Sequence, residues 1–360
     1  MFMNSFRILA INPGSTSTKI AVFEDNKAIL TKNIKHTSDE LAPFPNLIDQ
    51  YQFRKEIILK ELAEAGINIQ SLNAVIGRGG LVKPIPSGVY EVNSFMLDDL
   101  RIGKLGQHAS NLGGILADDI ARLIPNAKAF IADPVVVDEL EEVARFTGHP
   151  KFERISIFHA LNQKAIARMH ANAVGEKYED LNLVIAHLGG GISVGAHKKG
   201  RVIDVNNALD GEGPFSPERT GTLPAGALVK MCFSGEYKIE EIKKMITGKG
   251  GFVAYLGTND AYEVEQRIKN GDRFAEIVRD AMAYQVGKAI AEMSAVLHGN
   301  VDAILLTGGI AYDKDFVEYV KDMVSFIAPV VLYPGEDEMK ALAMNALMVL
   351  RGEVEPKVYR

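Results

Sequence analysis

Two stretches of this chain follow one plan. Residues 7–11, 19–23 and 28–30 are apolar runs, separated first by a polar turn and then by the charged turn Glu24-Asp25-Asn26-Lys27. Residues 181–205 repeat it as LNLVIAH, a glycine turn, ISVGAH, a KKG turn and RVIDV. Short apolar runs bounded by turn residues read as strands, and three in succession as a meander. Helical patterns and further apolar runs follow each meander, the order of a layered α/β fold. The recurrence predicts an internal duplication, although two unrelated hairpins would read the same way.

Helical spacing places Ile58, Leu62 and Ala65 on one face of residues 54–65, which stop at Gly66. Residues 108–124 carry Leu112, Ile115, Leu116, Ile120 and Leu123 on one face, ahead of Pro125 and the strand-like AKAFIAD. Residues 159–174 present Leu161, Ala165, Ile166, Met169 and Ala173 together and end at Gly175. A long helix over 274–297 precedes a strand at 301–309, a helix at 314–327, a strand at 329–335 and a final helix over 337–350. At about 150 residues per domain, 360 residues suit two domains.

Composition removes several classes. Apolar residues make up 47% and charged residues 24%, a globular balance that excludes disorder and fibrous folds. The net charge of −6 offers nucleic acid no general attraction. No apolar run reaches the roughly 18 residues of a membrane span, and the start lacks the pattern of a signal peptide, so a cytoplasmic protein is expected. One cysteine, Cys232, excludes an intrachain disulfide and thiolate-rich metal sites.

The chemistry-bearing residues collect at the ends of the apolar runs. The turn Asn12-Pro13-Gly14-Ser15-Thr16-Ser17-Thr18-Lys19 combines backbone donors, hydroxyls and an ammonium, which suits a phosphate as well as a plain hairpin loop. It lacks the GxxxxGK[ST] pattern and leads into a strand, so it is not a Walker A loop. Gly189, Gly190 and Gly191 follow His187 in the second meander, and Gly308 and Gly309 end the run AILLTGG. Three small-residue turns at corresponding strand ends point to a nucleotide. Arg78, in the IGRGG stretch, and Arg219, in the GEGPFSPERTG loop, carry the side chain best matched to carboxylate and phosphoryl oxygens, or are surface arginines. Asp133 ends a strand, where it could meet Mg²⁺, cap a helix or act as a base. Glu336, Asp337 and Glu338 form an acidic cluster that would equally cap a helix.

Taken in order, NPGSTSTK, GRGG, the pair Phe158-His159, HLGGG, PERTG and LLTGG resemble the acetokinase family, over a span from Ile8 to the final helix. That family belongs to the superfamily of acetate and sugar kinases, heat-shock chaperones and actin. The resemblance implies an α/β protein of two duplicated actin-like (ribonuclease H-like) domains, each a mixed sheet with flanking helices, with the active site in the interdomain cleft. Its domains would be residues 1–150, completed by 338–360, and residues 151–337. It implies ATP/ADP and Mg²⁺ as cofactors, a short-chain carboxylate and its acyl phosphate as ligands, and a homodimer or larger homo-oligomer, with no nucleic acid and no membrane.

Carried over by position, Asn12, Ser15, Ser17 and Lys19 match the first phosphate turn, and Gly189, Gly190, Gly191, Gly308 and Gly309 the nucleotide side. Arg78 and Arg219 match the two active-site arginines, Asp133 the aspartate near the metal, and His187 the histidine near the γ-phosphate. His108, Phe158 and His159 match the substrate side. The C-terminal glutamate, a second metal candidate, falls on Glu338, with Glu336 as the alternative. Two departures stand out. Gly190 replaces the asparagine usual in acetate kinases, and Gln163 replaces the second histidine of FHGTSH. Both favour the butyrate-type branch, with acetate or propionate kinase activity as the alternative and an actin- or chaperone-like ATPase switch as the rival from another class. The expected reaction converts ATP and a carboxylate to ADP and an acyl phosphate by direct in-line transfer, with no general base because the carboxylate is already ionised.

Overall fold

The computed structural model describes residues 5–360. The first four residues, part of the N-terminal segment expected to lack a signal peptide, lie outside the described residues. The chain divides into two units, one holding residues up to Val137 together with Asp337–Arg360, the other Asp138–Glu336. Up to residue 137 it runs β1 (Arg7–Pro13), β2 (Ser17–Glu24), β3 (Lys27–Lys35), α1 (Ser38–Leu41), α2 (Tyr51–Glu64), β4 (Ala74–Arg78), β5 (Val89–Glu91), α3 (Ser94–Ile102), α4 (Asn111–Ala121) and β6 (Lys128–Ala132). The second unit runs α5 (Ala160–Val174), β7 (Asn182–Leu188), β8 (Ile192–Lys198), β9 (Arg201–Val205), α6 (Ala225–Cys232), α7 (Ile239–Ile246), α8 (Gly251–Leu256), α9 (Ala261–Lys269), α10 (Arg273–Val296), β10 (Ala303–Gly308), α11 (Lys314–Val324) and β11 (Val330–Pro334). The first unit is completed by α12 (Glu338–Leu350) and β12 (Lys357–Val358).

The duplication is visible in the hydrogen bonding. The first sheet has the order β12-β5-β6-β4-β1-β2-β3 and the second β11-β10-β7-β8-β9. In both, a three-strand antiparallel meander is extended by two parallel strands, β4 and β6 in one, β10 and β11 in the other. The register makes Ile8, paired with Ala74, the counterpart of Leu183, paired with Ala303. Even the irregularities agree: the ladder shifts at Val22/Phe23, opposite Leu9 and Ile8, and at Ala196/His197, opposite Val184 and Leu183. Counting on from Ile8 and Leu183 makes Asn12 the positional counterpart of His187. β5 and β12 are additions to the first sheet alone.

Each sheet buries its own core. In the first unit β1, β2 and β4 contribute Leu9, Ile11, Ile20, Val22 and Val75, covered by Ile58 and Leu62 of α2, Leu112, Ile115 and Leu116 of α4, and Tyr359. Gly77 and Gly113 let α4 lie directly on β4, since a Cβ on Gly77 would fall 2.0 Å from the Gly113 carbonyl oxygen. In the second unit α10 lays Met282, Val286 and Ile290 on Val184, Ala186 and Val194. Among the described residues, no helix is long and apolar enough to cross a membrane.

Three expectations shift. The division falls at 137/138 rather than 150, because residues 138–150 join the second unit: Glu139 accepts from Lys164 (2.7 Å) and the Val202 amide (2.9 Å), and the Glu141 amide donates to the Ile203 carbonyl (2.9 Å). The helix expected from 108 begins at Asn111 and ends at Ala121, so Leu123 lies beyond it and is exposed. The helix over 159–174 forms as α5 but is turned: Met169 and Ala173 are exposed, whereas Asn162, Gln163, Lys164 and His170 are buried. Its packed face is partly polar.

Candidate active site

In the first unit the parallel strands β6, β4 and β1 are neighbours, so their C-terminal ends share one edge, where ligands of α/β sheets collect. Asn12 lies near the end of β1, Arg78 ends β4, and Asp133 follows β6. Glu338, the first residue of α12, accepts from Asn12 Nδ2 at 2.5 Å and from Arg78, with Nη1–Oε2 and Nη2–Oε1 both 3.3 Å. Asp133 is buried at φ +39°, a region an aspartate occupies only when its surroundings impose it, and its Oδ1 accepts from Ser87 Oγ (2.6 Å) and the Gly88 amide (2.8 Å). His108 is exposed, and its Nδ1 accepts from the Ser110 amide at 3.2 Å.

The turn between β1 and β2 is gripped by a buried arginine. Its amides and hydroxyls belong to Gly14, Ser15 and Ser17, with Ser15 and Lys19 exposed and the Gly14 amide closing on the Ser17 carbonyl at 2.8 Å. The Arg54 guanidinium, wholly buried, donates to the carbonyls of Gly14 (2.8 Å), Ser17 (2.9 Å) and Ser15 (3.0 Å), to Thr18 Oγ1 (3.0 Å) and to Gln50 Oε1 (2.8 Å). Burial pulls its pKa down to about 10, which leaves it cationic at neutral pH. Arg54 was missed from sequence, yet a signal exists: it shares an i, i+4, i+8 stripe with Ile58 and Leu62 on α2.

In the second unit His187 is buried near the end of β7, with Nδ1 2.9 Å from Asn162 Oδ1 and Nε2 3.5 Å from Glu336 Oε2. The His159 ring stacks on it at 3.9 Å, and His159 Nδ1 lies 2.9 Å from Ser193 Oγ. Phe158 is buried beside it in the chain. The three glycines after His187 make room for side chains: a Cβ on Gly191 would sit 1.9 Å from Arg219 Nη1, and one on Gly189 2.9 Å from His187 Nε2. Gly190 stays exposed, its carbonyl accepting from Ser216 Oγ at 2.7 Å. Arg219 donates Nη1 to the Ala208 carbonyl at 2.5 Å, its buried Nε has no hydrogen-bond partner, and burial lowers its pKa. A guanidinium with an unsatisfied buried N–H suits an anion. Gly308 pairs with Gly335 through 3.1 and 2.9 Å hydrogen bonds, and Gly309 is exposed.

The acidic cluster is thus divided: Glu338 meets Arg78 and Asn12, Glu336 meets His187, and Asp337 caps α12 through the Lys340 amide (2.9 Å). Among the described residues no group of three or more His, Cys, Asp or Glu side chains is arranged to hold a metal. A cavity of about 510 Å³ in the second unit, lined by Arg145, Phe146, His149 and Phe152 among others, contains none of the residues above.

Known proteins share this sequence and this fold. Over 355 residues, 99% of this chain and 99% of the relative, the sequence is 58% identical to Butyrate kinase 2 of Clostridium acetobutylicum. The chain belongs to the acetokinase family. The family's profile matches residues 153–327. Among solved structures, an acetate kinase from Porphyromonas gingivalis superposes with a TM-score of 0.80 at 20% identity, covering 96% of this chain and 100% of that one. A propionate kinase from Francisella tularensis subsp. tularensis SCHU S4 gives 0.73 at 17%, covering 94% and 98%. Each sheet with its helices is accordingly one half of a duplicated actin-like α/β fold, and in this member of the acetokinase family the strand ends carry the motifs.

Proposed function

We propose that this chain is a butyrate kinase, transferring the γ-phosphoryl group of ATP to butyrate or a branched short-chain carboxylate to give ADP and an acyl phosphate. The observation that carries the reading is the 58% identity to Butyrate kinase 2 across 99% of both chains. The enzyme works in the cytoplasm as a homodimer or larger homo-oligomer.

A short-chain carboxylate has a pKa near about 4 to 5, by analogy with Glu, and needs no general base. One of its oxygens attacks the γ-phosphorus in line as the bond to the β-phosphate oxygen breaks, and ADP leaves with the electron pair. The difficulty is bringing an anion to a polyanion, which fixed cationic donors relieve. Arg78 holds the acyl carboxylate, oriented from behind by Glu338. Arg219, held in place by the Ala208 carbonyl at Nη1, brings its guanidinium charge to the phosphoryl oxygens, and His187, steadied at Nδ1 by Asn162, supports them. The turn of Gly14, Ser15 and Ser17, with Lys19, and the glycines 189–191, 308 and 309 receive the nucleotide phosphates. Phe158, His159 and His108 serve the acyl side.

Mg²⁺ takes oxygen ligands and, when phosphates supply several, needs only one or two carboxylates. Asp133, at the strand edge that also carries Asn12 and Arg78, would hold the ion, and Glu338 is engaged with Asn12 and Arg78. When bound, the ion would neutralise phosphate charge.

A hydroxylamine trap for acyl phosphate, run with ATP and Mg²⁺ across formate, acetate, propionate, butyrate, isobutyrate and valerate with ADP release in parallel, tests the reading. Hydroxamate formation should peak at the four- and five-carbon acids. A peak at acetate moves the specificity, and ADP release without hydroxamate overturns the kinase.

A further inference from the structure

The departure at Gln163 lies at the centre of a buried hydrogen-bonded chain. Gln163 Nε2 is 3.1 Å from the Ser193 carbonyl oxygen and 2.9 Å from Ser193 Oγ, while its Oε1 is 2.8 Å from His197 Nε2. His197 Nδ1 is 2.6 Å from the Tyr178 hydroxyl, and Ser193 Oγ is 2.9 Å from His159 Nδ1. Gln163, Ser193 and His197 are fully buried.

The direction of every bond follows from one atom. A backbone carbonyl can only accept, so the Gln163 nitrogen faces Ser193 and its oxygen faces His197. His197 must then carry its hydrogen on Nε2 and accept from Tyr178 on Nδ1, which requires a neutral ring. Burial and the nearby Lys164 ammonium hold His197 neutral, well below the usual histidine range. On the other side, Ser193 Oγ accepts from the Gln163 amide at 2.9 Å and from the His159 backbone amide at 3.5 Å, which fills both of its lone pairs, so its own hydrogen is donated to His159 Nδ1. A neutral His159 therefore carries its hydrogen on Nε2.

We propose that Gln163 is a positioning residue that, through Ser193, locks His159 as the Nε2–H tautomer, so that the ring acts as a hydrogen-bond donor from Nε2. A second histidine at 163 could not do this in the same way, because one imidazole nitrogen cannot serve both the Ser193 carbonyl and its hydroxyl. The effect on turnover rests on the kinase reading; the tautomer itself does not.

Two-bond ¹H–¹⁵N spectra of the full chain labelled at histidine, with the His159 signals assigned through His159→Gln, read the tautomer without turnover. The wild type should show His159 protonated at Nε2 with Nδ1 as acceptor. Ser193→Ala, which deletes one hydroxyl, and Gln163→Met, of similar volume, should both mix in the Nδ1–H form. Both should lower kcat about tenfold while KM for ATP stays within about threefold. A wild-type His159 protonated at Nδ1, or both variants keeping the Nε2–H form, overturns the proposal. A shifted tautomer with unchanged kcat upholds the relay and removes His159 from the kinase mechanism.

Discussion

Arg78 and Glu338 stand 260 residues apart in the chain and 3.3 Å apart in the fold. Arg78 ends β4 and Glu338 opens α12, so the C-terminal segment that completes the first unit also delivers the carboxylate that aims its guanidinium. The pair is partly exposed, and such pairs contribute at most about 1 kcal/mol. Its contribution is orientation: Asn12 Nδ2 holds the same carboxylate from β1, and both contacts to Arg78 are long enough to yield to a substrate anion.

Arg78→Ala should therefore lower kcat/KM for the carboxylate at least about tenfold, equivalent to about 1.4 kcal/mol, with little change in Tm. Glu338→Gln, which keeps the shape but weakens the hold on Arg78, should cost less. Steady-state kinetics with butyrate and thermal melts check both. Near-native kcat/KM for Arg78→Ala would remove Arg78 from the site.

Arg54 should prove as important as any residue that faces a ligand. Arg54→Met would leave the carbonyls of Gly14, Ser15 and Ser17 without their donor inside the fold. A loss of about 3 kcal/mol is expected, because buried polar groups are costly to leave unpaired. Arg54→Lys keeps the charge but cannot span the turn as a planar fork does, so it should fold and show a raised KM for ATP. Denaturant unfolding of the first variant and nucleotide kinetics of the second are the measurements. Unchanged stability in Arg54→Met would show that the clamp is dispensable.

Stability should fall on mild acidification. His36, His170 and His197 all have pKa values lowered by burial, His36 further by Arg54 and His197 by Lys164. The unfolded chain binds protons at these histidines near pH 6.5 while the folded chain does not, so stability rises with pH through the window below 6.5 and is lost as pH falls through it. Carboxylates with lowered pKa, such as Asp99 and Asp272, add to the loss only at still lower pH. Thermal melts from pH 8 to 5 should show a flat Tm above about 7 and a decline below about 6.5. His197→Gln, which can still donate to Gln163 and accept from Tyr178, should shallow the decline. A Tm that holds or rises between pH 7 and 5 would contradict this account.

Sequence alone determined the two duplicated meanders, the strands β6, β10 and β11, and the turns that follow Asn12, His187 and Gly308, whereas β4, β5 and β12 emerge only in the structure. These are local features: an apolar run of five to seven residues ended by glycine or hydroxyl residues has few alternatives to a strand and its turn. It also marked Arg78, Asp133 and Arg219, because those residue types at strand ends and in glycine-rich loops narrow the chemistry. Only the tertiary structure decided which carboxylate meets which partner, Glu338 with Arg78 and Glu336 with His187, since the two glutamates are two positions apart in one acidic cluster. Only it turned α5 so that Met169 is exposed and Gln163 buried, and set Arg54 against the turn of Gly14, Ser15 and Ser17. In each case a polar side chain is satisfied by partners brought from elsewhere in the chain. Periodicity, which scores apolar residues against polar ones within a short window, carries no record of those partners.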